Sequence, residues 1–346
     1  MHLTNKVKRR QTNSLYVTAP IELGGIRTYS LVERPSKVHV GQFAKPHKRG
    51  AKIADFIDSL PQILAADDLR AIRDAILAAR RQRSAILWGI GGHVIKVGLG
   101  PILIDLMQRG FVSGIAMNGA ALVHDFEIAL VGGTSEDVEA ALGYGKFGMA
   151  QETGLYLNEA AVGAQRSGIG LGEATGKLLS NRLLRARHPE ASVLMNAYRA
   201  RIPVTVHLAI GTDIPHMHRA ASGEALGAAT HRDFRLFCAL VQQMQPGGVY
   251  LNWGSAVMLP EIFLKAVTVA RNLGTPLVPI TTANFDFIQH YRPMQNVVKR
   301  PTARGTRSSK SKGIAITGHH EILMPLLAAA LVEADRKPAA RGKAKP

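Results

Sequence analysis

Short runs of consecutive apolar residues alternate with stretches of helical periodicity over most of the chain. From Ser84 onward, each apolar run is followed by a glycine-containing turn and then by a helical pattern. The predicted strands are 85–88, 114–117, 203–210, 249–251, 277–281 and 314–316. The predicted helices include 101–109, 120–131, 233–244, 260–272 and 321–333. Because this alternation is typical of parallel sheets covered on both sides, we expect an α/β fold with a Rossmann-like, mostly parallel sheet and helices on both faces.

The two ends of the chain differ from this pattern. Residues 1–50 have little periodicity and several basic clusters, and they are predicted to form an N-terminal arm with short strands such as 15–18. Residues 51–334 are predicted to form the folded domain, which opens with two helical patterns. Residues 335–346 are rich in Lys, Ala and Pro, a composition typical of a disordered basic tail. The sequence therefore predicts an arm, one large domain and a tail.

The net charge of +18 is concentrated in three segments. Residues 1–52 carry +9, residues 292–312 carry +7 and residues 333–346 carry +3, whereas the remainder carries −1. A protein that binds a duplex usually presents a basic face on its fold, and basic tails alone are usually solvated. This distribution disfavours specific binding to nucleic acid.

The cysteine count and the apolar runs limit the class of protein further. Cys238 is the single cysteine, which excludes an intramolecular disulfide and a cysteine-based zinc cluster. The longest apolar run near the C-terminus, 322–332, is 11 residues long, whereas a bilayer span needs about 20. No apolar region follows the basic N-terminus as in a secretory signal. We therefore expect a cytoplasmic protein without a membrane partner.

Polar and glycine residues follow the ends of the predicted strands. In an open parallel sheet, ligands bind outside the carboxyl ends of the strands, and small residues there let backbone N–H groups approach a phosphate. Five such turns in one chain predict a nucleotide-sized cleft. Its candidate residues are Gly89, Gly91, Gly92, His93, Asn118, Gly119, His124, Asp125, Asp213, His216, Gly254, Ser255, Thr281, Thr282 and Ala283.

Simpler interpretations remain open for several of these residues. Gly89, Gly91 and Gly92 lack the full G-x-G-x-x-G spacing, so the ordinary dinucleotide fingerprint is not met. His124 and Asp125 could instead cap and orient the helix on which they lie.

Two histidine-containing clusters raise the question of a metal site. Asp213, His216 and His218 are residue types that bind metals, but no second cluster has a recognised partner spacing, so no metal is assigned. The His-His-Glu run at 319–321 stands at a predicted helix start, where capping explains it.

The order of the motifs resembles the deoxyhypusine synthase family over roughly residues 50–330. No single motif is specific, and the resemblance depends on their order and spacing. Besides the glycine turns, the matching segments are Ile202-Pro203-Val204, Asp233-Phe234-Arg235-Leu236, Gly248 to Val257, Ile280 to Asn284, Arg292-Pro293 and Pro325-Leu326-Leu327. The resemblance implies a Rossmann-like fold, NAD bound between subunits and a homo-oligomer, either a dimer or a tetramer. It also implies oxidation of a polyamine with NAD and transfer of an aminobutyl group through an imine on an enzyme lysine.

The catalytic loop departs from the family pattern. The family reads roughly R-P-D-E-A-V-S-W-G-K, whereas here 292–300 contains no Trp and its lysine, Lys299, comes two residues early. Lys310 and Lys312 are the other candidates for the imine. Lys299, together with His124 and His216, is predicted to be catalytic. Alternatively, the basic segment could act through charge alone, or lie on the surface without a role.

The residues that would hold a polyamine are also changed. An acidic residue of the family's catalytic loop falls near Gln295. In a different family motif, D-G-S-L-G-D-M, the second Asp falls at His216. The family's histidines are absent from 254–261. A buried ammonium group needs a carboxylate partner. These changes predict a neutral or anionic substrate.

Together these observations predict an NAD-dependent enzyme, a transferase that acts on an amine or a related small substrate through transient oxidation. One alternative is a homospermidine- or deoxyhypusine-synthase-type transfer from a polyamine, with its carboxylates elsewhere in the sequence. The other is a non-catalytic, regulatory NAD-binding protein.

Overall fold

The computed structural model describes residues 15–303 and 310–335. The predicted tail from 336 onward and part of the basic segment therefore lie outside the described residues. The chain divides into two compact units, Met1–Gly41 and Gln42–Pro346.

The described part of the first unit contains two short 3-10 helices, Leu23–Gly25 and Leu31–Glu33, and the start of a third, Val40–Gln42. The strand predicted at 15–18 is wrong, because no strand forms between residues 15 and 41. Large apolar side chains such as Leu15 and Val32 are exposed, so packing around a core of its own does not hold this segment.

The second unit is built around a six-stranded sheet. Its strands are β1 (Ile86–Ile90), β2 (Gly114–Asn118), β3 (Val204–His207), β4 (Val249–Trp253), β5 (Thr281–Asp286) and β6 (Lys312–Thr317). Their order is β3-β2-β1-β4-β5-β6, and every neighbouring pair is parallel. The predicted fold class is confirmed. The strand order reverses between β1 and β4, and in such sheets the crevice outside the carboxyl ends at this switch point is where ligands bind.

Helices cover both faces of the sheet. In chain order they are α1 (Ile53–Ser59), α2 (Leu64–Gln82), α3 (Gly92–Lys96), α4 (Gly100–Gln108), α5 (Gly119–Val131), α6 (Val138–Leu142), α7 (Gln151–Ser167), α8 (Leu171–Leu179), α9 (Val193–Ala200), α10 (Gly223–Gln242), α11 (Met258–Asn272), α12 (Tyr291–Pro293) and α13 (His320–Ala334). A 3-10 helix spans Ile214–Met217, and a π-helix, Met294–Lys299, continues α12. None of the described helices combines the length and the apolar character that crossing a bilayer requires.

Alternate side chains of the strands enter two separate cores. Trp88 belongs to the larger core, which α2, α4, α5 and α13 help to close, whereas its neighbour Leu87 belongs to the core under α10 and α11. The second core also contains the buried Cys238 thiol. The strands are apolar at most positions because both faces of this sheet are covered.

The fifth strand is the main error in the predicted elements. The apolar run 277–281 was predicted to be the strand, but β5 begins only at Thr281. Its polar side chains are buried and bonded: Thr282 Oγ1 donates to Val297 O at 2.6 Å, and Asn284 Nδ2 donates to Gln289 Oε1 at 2.7 Å. Because polar residues usually mark a turn, the pattern misplaced this strand by about four residues.

The buried side chain of Asp233 connects α10 with β3 and α8. It lies on α10, and one carboxylate oxygen accepts from Val206 N of β3 at 2.9 Å and from Gly172 N of α8 at 3.0 Å. The other oxygen has no partner among the described residues. Burial, which these hydrogen bonds only partly offset, raises the pKa of Asp233 to about 7.

We expect this carboxyl to make the folded state less stable as the pH rises. Between its ordinary value near 3.8 and about 7, the folded chain retains a proton that the unfolded chain has lost. Stability should fall across this window by at most about 1.4 kcal/mol per pH unit. Asp233→Asn should remove this contribution, whereas Asp58→Asn at an exposed position should not. Chemical denaturation from pH 4 to 8 measures the difference, and parallel curves for wild type and Asp233→Asn would contradict it.

Candidate active site

The turns after β1 and β4 touch at the switch point. Gly91 N donates to Trp253 O at 2.9 Å, and a side chain at Gly91 would lie 2.2 Å from Gly254 O. This close approach of two backbones requires the absence of a side chain at Gly91. The two predicted turns therefore meet at the carboxyl edge of the sheet, at the switch point.

Two histidines lie close together beside these turns. His93 follows β1 and His320 follows β6, and their ring centroids are 5.2 Å apart. His320 is fully buried; its Nε2 donates to Phe285 O at 3.1 Å, and its Nδ1 has no partner in the described part of the chain. Burial, together with the charges of His320 and Lys96, lowers the pKa of His93. Capping does not explain the 319–321 run, because His319 makes no side-chain cap hydrogen bond, and His320 is a residue of the site that the sequence did not indicate.

A cavity of about 300 Å³ lies beside the carboxyl ends of β2 and β3. Its lining includes Lys96, Gly119, His124, Glu127, Glu136 and Asp213. It thus presents three carboxyl groups and one ammonium group. Gly119, His124 and Asp213 are residues that the sequence predicts for the site, whereas the two glutamates are not.

Asp213 is held against the start of α5. Its carboxylate accepts from Ala209 N at 2.8 Å, and a side chain at Gly119 would lie 2.2 Å from it. Burial raises the pKa of Asp213, and the nearby His216 lowers it in part. Both ring nitrogens of His216 are buried without a partner among the described residues, and His216 does not line the cavity.

His124 is the first member of a chain of hydrogen bonds. Its Nδ1 is 2.7 Å from Thr134 Oγ1, and Thr134 Oγ1 donates to Glu127 Oε2 at 2.5 Å. The other oxygen of Glu127 accepts from Thr153 Oγ1 at 2.9 Å. Burial, and secondly the charge of Lys96, lowers the pKa of His124.

Two predicted cofactor contacts are structural caps. Asp125 is fully buried and accepts from Ser192 Oγ at 2.7 Å, Val193 N at 2.7 Å and Leu194 N at 3.1 Å. These bonds occupy its carboxylate at the start of α9, so it is not free to contact a cofactor. Asn118 Oδ1 accepts from Ala121 N at 2.9 Å and caps α5.

The predicted cofactor contacts on β1 and β5 lie inside their strands and not after the carboxyl ends. Gly89 lies inside β1, where a side chain would stand 2.4 Å from the hydroxyl oxygen of Tyr250. Thr281, Thr282 and Ala283 form the first half of β5 and lie toward the amino edge of the sheet, opposite the crevice. Gly92, Gly254 and Ser255 do follow the carboxyl ends of their strands, as predicted.

Lys299 also lies toward the amino edge. The preceding residues contact the starts of two strands: Val297 O accepts from Thr282 Oγ1, and Val298 O lies against Gly313. Lys310 and Lys312 line a separate cavity of about 760 Å³ at that same edge. Within one chain, therefore, the predicted lysines do not meet His124. The segment returns along the sheet after β5, which the spacing of motifs does not reveal.

No protein-family model and no curated protein matches the chain. Among solved structures, ArgZ, a cyanobacterial arginine dihydrolase, is 16% identical, with a TM-score of 0.45 over 79% of this chain and 33% of its own. AgrE in complex with ornithine and NAD+ is 16% identical, with a TM-score of 0.47 over 80% of this chain and 34% of its own. An Entamoeba histolytica protein provisionally named deoxyhypusine synthase is 11% identical, with a TM-score of 0.43 over 84% of this chain and 96% of its own.

The present chain thus spans about a third of the length of the ArgZ and AgrE chains. No family membership follows from these similarities. The strand order itself defines the chain as an α/β protein of the Rossmann type.

Proposed function

We propose that the protein is an NAD-dependent enzyme that acts on a small amine through transient oxidation. The observation that carries the proposal is the parallel strand order with its switch point between β1 and β4. Dinucleotides bind across this crevice in sheets of this order. Histidines and carboxyl groups, the side chains that transfer protons and hold amines, surround the same edge.

The residues at the switch point fit a dinucleotide in two respects. The buried Nδ1 of His320 lacks a partner in the described chain, so it can accept a hydrogen bond from a bound group. Lys96 and His93 lie on α3 beside the turn at Gly91 and offer donors to a pyrophosphate. The two turns, at 91–93 and 254–255, would hold the cofactor. When bound, NAD supplies the acceptor for a hydride.

The charge of the neighbouring cavity favours a cationic substrate. Glu127, Glu136 and Asp213 contribute three carboxyl groups against the single ammonium of Lys96. A desolvated ammonium group needs such partners. The neutral or anionic substrate was expected because the family's carboxylates are changed at Gln295 and His216, but Glu127, Glu136 and Asp213 supply carboxyl groups from other positions. The basic side chains of Lys299, Lys310 and Lys312 are at the opposite edge of the sheet.

NAD should stabilise the folded protein. A ligand that binds only the folded state at one hundred times its dissociation constant adds about 2.7 kcal/mol. In protein freed of nucleotide, we expect millimolar NAD to raise the melting temperature by several degrees. Lys96→Ala should weaken the effect, whereas Lys177→Ala, at an exposed position on α8, should leave it unchanged.

Native mass spectrometry of the same sample tests the cofactor and the proposed dimer or tetramer together. An unchanged melting temperature with both NAD and NADP would rule out the cofactor assignment. Equal responses of the two lysine variants would remove Lys96 from the site.

A further inference from the structure

We infer that Thr134 and Glu127 are positioning residues that hold His124 as the Nδ1–H tautomer and leave Nε2 free to accept a proton in the cavity. This inference rests on the proposed function, because it assigns the group that receives a proton from the amine. His124 would be the catalytic base, and the other two residues would act through it.

The direction of each hydrogen bond follows from the donors available. An ionised carboxylate only accepts, so both oxygens of Glu127 must receive hydroxyl protons, one from Thr134 and one from Thr153. A threonine hydroxyl has one proton, and Thr134 has given it to Glu127. The oxygen of Thr134 can then only accept from His124 Nδ1, which must carry the proton. Neutral His124 therefore has an unprotonated Nε2.

The unprotonated nitrogen is on the side of the ring that faces the β1 turn. A side chain at Gly92 would lie 3.0 Å from His124 Cδ2, the carbon bonded to Nε2. His124 also lines the cavity of about 300 Å³ with Glu136 and Asp213. The base is thus between the switch point and the carboxyl groups that would hold an ammonium group.

Burial and the charge of Lys96 favour a neutral imidazole, whereas nearby carboxyl groups favour the imidazolium. Burial and Lys96, at the end of α3, both lower the pKa of His124. The carboxyl groups of Glu127 on α5, Glu136 after it and Asp213 in the facing loop are the acidic groups around the cavity. In the proton transfer, an N–H bond of the substrate ammonium breaks and an Nε2–H bond forms, which leaves a neutral amine and an imidazolium. Glu127 stabilises that imidazolium through Thr134, as the third member of other catalytic relays does.

The relay formed by His124, Thr134 and Glu127 has a spectroscopic signature that does not require a substrate. In protein labelled with ¹⁵N-histidine at pH 8, long-range ¹H–¹⁵N correlations distinguish the two tautomers of each ring, and His124→Gln identifies the signals of His124 by their loss. We expect wild type to show the Nδ1–H form. Thr134→Val should shift His124 toward Nε2–H, because Nδ1 loses its acceptor. Thr134→Ser, which keeps the hydroxyl, should restore the wild-type pattern.

Thr153→Val is the matched control, because it removes the other hydroxyl bound to Glu127 without touching His124. Its His124 signals should stay Nδ1–H. An Nε2–H tautomer in wild type, or the same Nδ1–H signals in Thr134→Val, would overturn the relay. The melting temperature of wild type with NAD is measured independently of the tautomer. Absence of NAD binding would refute the proposed function and leave the tautomer assignment intact. An Nε2–H tautomer in wild type would refute the role of Thr134 and leave NAD binding intact.

Discussion

Gly91→Ala should destabilise the folded protein by about 3 kcal/mol, near the upper end of what overpacking usually costs. The added methyl group would stand 2.2 Å from the oxygen and 2.8 Å from the carbon of the Gly254 carbonyl. Both are backbone atoms, so no side chain can rotate to make room. Gly91 has an extended backbone, with φ −84° and ψ 169°, which alanine adopts readily. The substitution therefore perturbs the contact between the two turns without straining the backbone.

Gly133→Ala provides the matched control, because no atom lies within 4 Å of the added methyl group. Urea denaturation should give nearly wild-type stability for Gly133→Ala and a much lower midpoint for Gly91→Ala. NAD binding should weaken with Gly91→Ala, since the turn forms the base of the proposed cofactor crevice. Equal stability of the two variants would show that the β1 and β4 turns do not meet as described.

Asp125→Ala should cost roughly 3–5 kcal/mol, because it leaves three buried donors unsatisfied. Those donors are the hydroxyl of Ser192 and the backbone N–H groups of Val193 and Leu194, all at the start of α9. Asp125→Asn keeps one acceptor oxygen and should fall between wild type and Asp125→Ala. Chemical denaturation of the three proteins measures the series.

The same variants separate a cap from a cofactor contact. If Asp125 caps α9, Asp125→Asn loses stability but binds NAD with unchanged affinity under conditions where it is folded. A variant of wild-type stability that has lost NAD binding would instead support the role predicted from the sequence.

Much of the fold follows from local patterns. Residues 86–90 and 114–117 of the first two strands are uninterrupted apolar or small residues, because helices cover both faces of the sheet. β5 could not be placed from local pattern, since the side chains of Thr282 and Asn284 bond to residues 15 and 5 positions later in the chain. A polar residue inside a strand and a polar residue in a turn look alike until their partners are known.

The site residues also divide into those that local sequence reveals and those whose roles depend on distant contacts. The glycine turns after β1 and β4 stand out in the sequence because small residues follow apolar runs. The roles of Glu127 and His320 depend on contacts with Thr153, 26 residues away, and with Phe285, 35 residues away. The position of Lys299 also depends on contacts distant in the chain, because the π-helix carries it toward the amino edge, and its catalytic role stays a prediction. Spacing along the chain does not encode the direction in which a helix runs.

The buried thiol of Cys238 can report transient opening of the core beneath α10 and α11. Because it is the single cysteine, a thiol reagent can add only one label per chain. Burial raises the pKa of this thiol to about 11, so very little reactive thiolate exists while α10 stays packed. The alkylation rate, read as one mass increment, therefore measures how often the core beneath α10 and α11 is exposed. A molecule that binds only the folded protein and so makes this opening rarer can be detected by how far it slows that rate.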